Sequence, residues 1–287
     1  MSSTPDASAA GQVTLGGDLT VNRLGFGAMR ITGPGIWGPP ADVPMAVRVV
    51  QRAVRLGVNF IDTADSYGPE SSEDLIAQAL YPYPANLVIA TKGGLVRPGP
   101  EAWHRNGQPK HLRTACEGSL RRLRRDRIDL YQFHAPDPRV PLGDSIGELV
   151  RLQREGKIRH IGICNVSLDE LKQAERLTPI VSVQNRFNLE ERRSNDLVEY
   201  CAKKSMAFIP WAPLDSGRHT HQSGSVRALV RVADRHKVTL GEVAIAWLLN
   251  RSETMLPIPG TGSVKHVEEN IGAASIRLTP EDMRELS

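Results

Sequence analysis

Phe60-Ile61-Asp62-Thr63-Ala64-Asp65-Ser66-Tyr67-Gly68 is the stretch on which the fold turns. A short apolar run ends on an aspartate, and a polar turn carries a tyrosine up to a glycine. Just before it, Ala46–Leu56 places Val47, Val50 and Val54 on one helical face, and Gly57 follows as a helix stop. The same unit, helix then short strand then polar turn, recurs outward in both directions.

Eight strands are expected: Leu24–Met29, Asn59–Asp62, Leu87–Lys92, Ile128–His134, His160–Cys164, Ile180–Gln184, Ala207–Pro210 and Met255–Ile258. Capping boxes open helices at Ser167-Leu168-Asp169-Glu170 and Thr239-Leu240-Gly241-Glu242. Thr279-Pro280-Glu281-Asp282 opens a last short one. Strand and helix alternate without a linker or a shift in composition. The fold class is therefore α/β, and the expected architecture is a single (β/α)8 TIM barrel. Gln12–Leu15, the turn Gly16-Gly17-Asp18 and Leu19–Val21 predict an N-terminal β-hairpin. Residues 1–11 read as a disordered tail and 12–287 as the one barrel domain. An open doubly wound sheet is the runner-up. Its glycine fingerprint begins at Gly25-x-Gly27 but has Arg30 in place of the third glycine, and the proline-rich stretch at 31–40 cannot start a helix.

The chain has 287 residues, so it can bury a large core without a staple, and its net charge of +4 is mild. The basic run Arg121-Arg122-Leu123-Arg124-Arg125-Asp126-Arg127 is anchored by Leu120 and Leu123 at helical spacing. Its arginines read as a solvated face, and no nucleic-acid partner is expected. Cys116, Cys164 and Cys201 are odd in number and widely spaced, as befits reduced thiols. His219-x-His221 has no Cys or acidic neighbour, so no metal is expected. The N-terminus lacks a signal-peptide core, and Val243–Leu249 is too short to span a bilayer. A cytoplasmic protein without membrane contact follows, with monomer as the default.

Catalytic groups of such barrels lie at the C-terminal ends of strands. Three consecutive strands end in Asp62 with Tyr67 beyond it, in Lys92, and in His134. These four types suit one task. A carbonyl that receives hydride becomes an alkoxide and needs a proton, which Tyr67 can supply. The Lys92 ammonium favours the phenolate and eases proton release, and each unit of pKa is worth about 1.4 kcal/mol. Asp62 holds the charge and place of Lys92, while His134 orients the carbonyl oxygen. After the last strand, Gly260, Thr261, Gly262 and Ser263 form a small-residue turn into a helix, a place suited to an anion.

FIDTADSYG (60–68), TKGG (91–94), DLYQFHAPD (129–137), GICNVS (162–167), VQNRFN (183–188) and IPGTGS…EEN (258–270) come in an order that resembles the aldo-keto reductase superfamily. The resemblance covers nearly the whole chain. It implies a tetrad of Asp62, Tyr67, Lys92 and His134, and a nicotinamide cofactor held without a Rossmann domain. It implies that Asn165 and Gln184 hold the nicotinamide carboxamide. Trp211 would stack on the ring, and Ala212, Pro213 and Leu214 would follow the cofactor backbone. Glu269 and Asn270 would hold the adenine edge. Where many members set Lys and Arg around a 2′-phosphate, this chain has Gly260 and His266, with Lys265 adjacent. NADPH is the expected cofactor, and NADH stays open. The expected substrate is a small-molecule carbonyl. GPGIWGPP (33–40) and Leu80-Tyr81-Pro82-Tyr83 resemble a bacterial branch that includes pyridoxal reductases, which points to pyridoxal or another aromatic aldehyde. Trp37 and Trp103 stand in rim loops, each able to flank a substrate or to pin its loop. Two other readings stay open: a lyase or isomerase using Lys92 as a Schiff base, and a non-catalytic nicotinamide-binding regulatory subunit.

Overall fold

A computed structural model describes residues 4–214 and 224–287. The His219 and His221 pair lies outside the described residues. In chain order the elements are β1 (Gln12–Leu15), β2 (Leu19–Asn22), β3 (Phe26–Gly27), α1 (Val43–Arg55), β4 (Phe60–Asp62), α2 (Ser71–Leu80), β5 (Val88–Gly93), β6 (Leu95–Gly99), β7 (Ala102–Arg105), α3 (Pro109–Arg122), β8 (Ile128–Phe133), α4 (Leu142–Arg154), β9 (Ile158–Cys164) and α5 (Leu168–Glu175). They continue with β10 (Ser182–Gln184), α6 (Asn195–Lys203), β11 (Ala207–Phe208), α7 (Gly224–His236), α8 (Leu240–Arg251), α9 (Val264–Gly272) and α10 (Pro280–Glu285).

A seven-stranded sheet runs in the order β3-β4-β5-β8-β9-β10-β11, every neighbouring pair parallel. The expected eighth strand, Met255–Ile258, is not one. Pro257 and Pro259 have no N–H to give, so a continuous ladder cannot form. The segment bonds to both sheet edges with the groups it has. Leu256 N–H donates to Phe208 O (2.9 Å), and Pro257 O and Pro259 O accept from Gly25 and Gly27 at 2.9 and 3.3 Å.

Strand periodicity sorts the side chains into layers. Ile61, Ile89, Tyr131, Phe133, Val183 and Phe208 point outward and pack with the helices. Phe60, Ala90, Leu130, Ala207 and Ile209 point inward. The inner group is continued downward by Val13, Leu15, Leu19 and Val21 of the antiparallel pair β1–β2, whose apolar face packs across the base of the sheet. Toward the C-terminal ends of β4, β5, β8 and β10 the inward residue is polar: Asp62, Lys92, Gln132, Gln184. A functional site therefore sits on an apolar plug, at the strands' C-terminal ends.

Helix starts follow their caps. The boxes at Ser167, Thr239 and Thr279 all form. Helix α1 starts at Val43, earlier than the apolar face alone indicates, because Asp42 accepts from Met45 N–H at 2.8 Å and Pro44 fits the first turn. The tail is not free throughout. Ala7 is fully buried, donates to Leu56 O (2.8 Å), and begins a 3-10 turn over Ala7–Ala10, because its small apolar residues fit against α1 and the 273–275 turn. The arginine run departs from a plain solvated face at two places, and Arg125 is one: it donates to Leu87 O at 3.3 Å and lies over the Tyr83 ring. Arg122 is the other, bonding the fully buried Glu73 at 2.7 Å. The three cysteines are free and buried. Among the described residues there is no cluster of three metal-type ligands, and no helix is long and apolar enough to cross a membrane.

Candidate active site

The four residues expected to act together come together. Lys92 Nζ, fully buried, donates to Asp62 Oδ2 at 2.6 Å, to Thr63 O at 2.8 Å and to Tyr67 OH at 3.2 Å. Strands β4 and β5 are paired neighbours, so Asp62 and Lys92 leave the sheet side by side. Tyr67 reaches back over them because the chain turns after β4, with Tyr67 N–H bonded to Ala64 O. His134 follows β8 and is anchored by its own N–H to Gly93 O (2.9 Å), and its Nδ1 lies 3.4 Å from Ser66 Oγ. The rings of Tyr67 and His134 meet edge to face at 5.8 Å.

Electrostatics modify the expectation drawn from sequence. Burial pushes the Tyr67 phenol up to about 12, and the Lys92 ammonium opposes this without reversing it. The lysine thus works in the expected direction, but against a larger desolvation. Burial disfavours the Lys92 cation too, yet Asp62 and the other groups around it outweigh that, so its affinity for the proton is raised. Burial first, and Lys92 second, hold His134 well below the usual histidine range, so the imidazole is neutral at pH 7. A neutral ring that accepts from Ser66 at Nδ1 has a hydrogen to donate at Nε2.

Above these groups lies a cavity of about 380 Å³. Its wall takes Asp62, Tyr67, His134, Asn165, Gln184, Trp211, Ala212, Pro213, Leu214 and Gly260 from the residues anticipated, and adds Gly27, Met29, Arg30, Leu95, Trp103, Ile258 and Pro259. Asn165 bridges two of the walls. Its Nδ2 donates to His134 O and its Oδ1 accepts from Trp211 Nε1, both at 2.9 Å. A second groove runs on from the first, sharing Arg30, Leu214 and Gly260 with it. It continues past Thr261, Gly262, His266, Glu269 and Asn270, and past Thr239, Leu240 and Gly241 at the start of α8. Lys265 is outside the groove, largely exposed, with Nζ 3.5 Å from Glu269 one helical turn on. Ser263 caps α9, its side chain accepting from His266 N–H. A Cβ at Gly260 would lie 2.3 Å from Gly27 O, so its missing side chain admits β3, and Gly260 lines both the cavity and the groove.

The two rim tryptophans divide the roles left open. Trp103, on β7, faces the cavity and meets Tyr67 edge on at 6.3 Å. Trp37 is outside the cavity wall and bridges to Gly68. Between them stands Arg97 of β6. It donates to Ala102 O, Ile36 O, Ser66 O and Gly35 O at 2.8–3.3 Å, and its guanidinium lies 3.8 Å from the Trp103 ring centroid. The β6–β7 hairpin replaces the plain loop expected after β5.

The chain as a whole is similar to known proteins. The profile described as the Aldo/keto reductase family matches residues 23–287. The chain belongs to the aldo/keto reductase family. An uncharacterized oxidoreductase of Schizosaccharomyces pombe is 50% identical over 280 residues, spanning 98% of this chain and 90% of that one. Pyridoxine 4-dehydrogenase of Escherichia coli is 38% identical over 276 residues, covering 92% of this chain and 93% of the relative. Among solved structures, an aldo/keto reductase from Klebsiella pneumoniae in complex with NADP and acetate aligns with a TM-score of 0.81 at 26% identity, over 96% of this chain and 93% of that one.

Several wall residues of this aldo/keto reductase escaped sequence reading, though some left a signal. Met29 ends the first expected strand and Arg30 follows it, positions that the strand-end rule covers. Beneath the wall, Gln132 lies two residues before His134 and so shares its inward face. Thr239–Gly241 were recognised as a helix start, but only the tertiary fold brings them to the groove.

Proposed function

We propose that this chain reduces an aldehyde or ketone to an alcohol with NADPH, on a closed (β/α)8 barrel whose eighth side is the segment at 254–259. The observation that carries the reading is the 3.2 Å contact between Tyr67 OH and a buried, Asp62-paired Lys92, opening into a cavity.

The residues present fit a dinucleotide. An amide-bearing cavity with an indole at its edge continues without a break into a groove lined by small residues and a helix start. Asn165, Gln184 and Trp211 would hold the nicotinamide end, and Ala212, Pro213 and Leu214 the span between. Gly260, Thr261, Gly262, Ser263, His266, Glu269 and Asn270 would hold the adenosine end, with Lys265 beside them. NADPH supplies a hydride when bound. The chain's own groups do the rest. His134, neutral, donates to the carbonyl oxygen and sets its direction. Tyr67 OH delivers the proton to that oxygen as negative charge develops. Lys92 stabilises the phenolate left behind, and Asp62 keeps Lys92 charged and in place.

A flat, aromatic aldehyde of the pyridoxal type suits the aromatic face of Trp103 beside Tyr67, and a relative named pyridoxine 4-dehydrogenase supports that class. The Schiff-base alternative requires a neutral lysine. The ion pair with Asp62 and the raised proton affinity of Lys92 stand against it.

The test is a panel of aldehydes and ketones, pyridoxal included, with NADPH and NADH compared at the reduced-nicotinamide absorbance. Turnover with NADPH is expected, fastest for aromatic aldehydes. No turnover with any member would leave the regulatory-subunit reading in its place. A second measurement addresses the cofactor wall. NADPH should quench tryptophan fluorescence, and Trp211→Leu should remove much of that quenching and weaken binding by about tenfold, the equivalent of one lost aromatic contact. An unaltered titration would take Trp211 out of the cofactor site.

A further inference from the structure

Beneath the cavity floor lies a polar layer that the mechanism above does not use in full. Gln132, on β8, is fully buried and forms no part of the cavity wall. Its Nε2 donates to Asp62 Oδ1 at 3.0 Å, the oxygen turned away from Lys92. Gln184 donates to the same oxygen at 2.8 Å, and to Gln132 Oε1 at 3.3 Å. The Cys164 thiol donates to Gln132 Oε1 as well, at 3.7 Å. Gly162 leaves room for this: a Cβ there would sit 3.0 Å from Gln132 Cγ.

The chemistry of these partners fixes every orientation. A carboxylate only accepts, so both amides must present their NH2 groups to Asp62. The second hydrogen of Gln184 then needs an acceptor, and Gln132 Oε1 is the one at hand. With both its hydrogens used inside the protein, Gln184 has only its oxygen left to offer the cavity it lines. Burial pushes the Cys164 thiol up, so it stays protonated and remains a donor to that same oxygen. Gln132 therefore sits at the junction of two lines. One runs through Asp62 and Lys92 to Tyr67, and the other through Gln184 to the cavity wall.

We propose that Gln132 is a positioning residue for carbonyl reduction. From below the cavity it orients Asp62, and through it Lys92 and Tyr67, and it fixes which end of the Gln184 amide meets the ligand. The inference rests on the reductase reading of the site.

Gln132→Glu is the decisive variant, because it preserves shape. When protonated, the introduced carboxyl donates to Asp62 and accepts from Gln184 and Cys164, as the amide does. When ionised, it has no hydrogen to give and faces the Asp62 carboxylate. The titratable groups around it are Asp62 on β4, Lys92 on β5 and Cys164 on β9, with Tyr67 beyond Lys92. Turnover with NADPH and a good aldehyde should approach that of the unaltered enzyme at acid pH. It should fall by about tenfold or more as pH rises through the new carboxyl's titration, the rate equivalent of a hydrogen bond to a charged group. Thermal melts at each pH accompany the assay. A pH profile that superimposes on that of the unaltered enzyme overturns the proposal.

If Gln132→Glu does not fold, Gln132→Met decides. A kcat reduced about tenfold in a variant that melts normally supports the positioning role. An unchanged kcat, or failure of both variants to fold, makes Gln132 a packing residue and overturns it. Inactivity of the unaltered enzyme would instead fault the reductase reading, so the two failures are distinguishable.

Discussion

Tyr67→Phe lowers carbonyl turnover by about 10²- to 10⁴-fold, the range spanned by a lost general acid. Its NADPH affinity stays within about a factor of two, since uniform binding is untouched. The ring contacts with Trp103 and His134 persist in the variant, because they involve the ring and not the hydroxyl. Lys92 Nζ keeps two of its three acceptors, Asp62 and Thr63 O. The fold therefore loses little and the chemistry loses its proton. The pH profile adds a second check. With the phenol pushed up to about 12, the proton stays on Tyr67 through the neutral range, so reduction by the unaltered enzyme is flat there and declines only in strong alkali. Cofactor titration and single-turnover kinetics measure the two sides. A variant that keeps more than about a tenth of the turnover removes Tyr67 from the acid role.

Lys92→Met has a larger structural effect. It leaves the Asp62 carboxylate buried with amide donors but no cation. Breaking such a pair from one side costs about 3–5 kcal/mol, equivalent to a fall in Tm of roughly 10 °C in a chain of this size. Turnover drops at least as far as in Tyr67→Phe, because the phenolate loses the cation beside it. Adding Asp62→Asn to Lys92→Met separates the two effects. The double variant regains most of the melting temperature, since no unpaired charge remains, and regains no turnover. Calorimetry and the aldehyde assay report them independently. Recovery of activity along with stability would show that Lys92 serves the fold alone.

Seven of the eight strands, the capped helices and the meeting of Asp62, Tyr67, Lys92 and His134 were legible because each depends on short-range pattern. Asp62, Lys92 and His134 end apolar runs, and Ser167, Thr239 and Thr279 carry their own box partners. What was not legible depends on what another segment supplies. Pro257 and Pro259 leave the eighth segment with alternate N–H groups only, and its lopsided bonding appears once β3 and β11 stand on either side. Residues Leu95–Arg105 form a hairpin whose register contains an irregularity between Val96 and Gly99, so strict alternation is broken. The rise in the Tyr67 pKa needs the depth of burial, which spacing does not report. The arrangement of Gln132, Gln184 and Asp62 needs three strands in register at once.

The Arg97 clasp bears on how this pocket can be rebuilt. All its acceptors are main-chain oxygens, contributed by the 35–36 loop, the turn bearing Tyr67 and the facing strand of its own hairpin. Exchanging the side chains of Ile36, Ser66 or Ala102 leaves those oxygens where they are, whereas adding or deleting one residue in any of the three segments carries an oxygen away. Substrate range in this enzyme is accordingly open to redesign by point substitution at fixed loop length, and closed to grafting of longer or shorter loops.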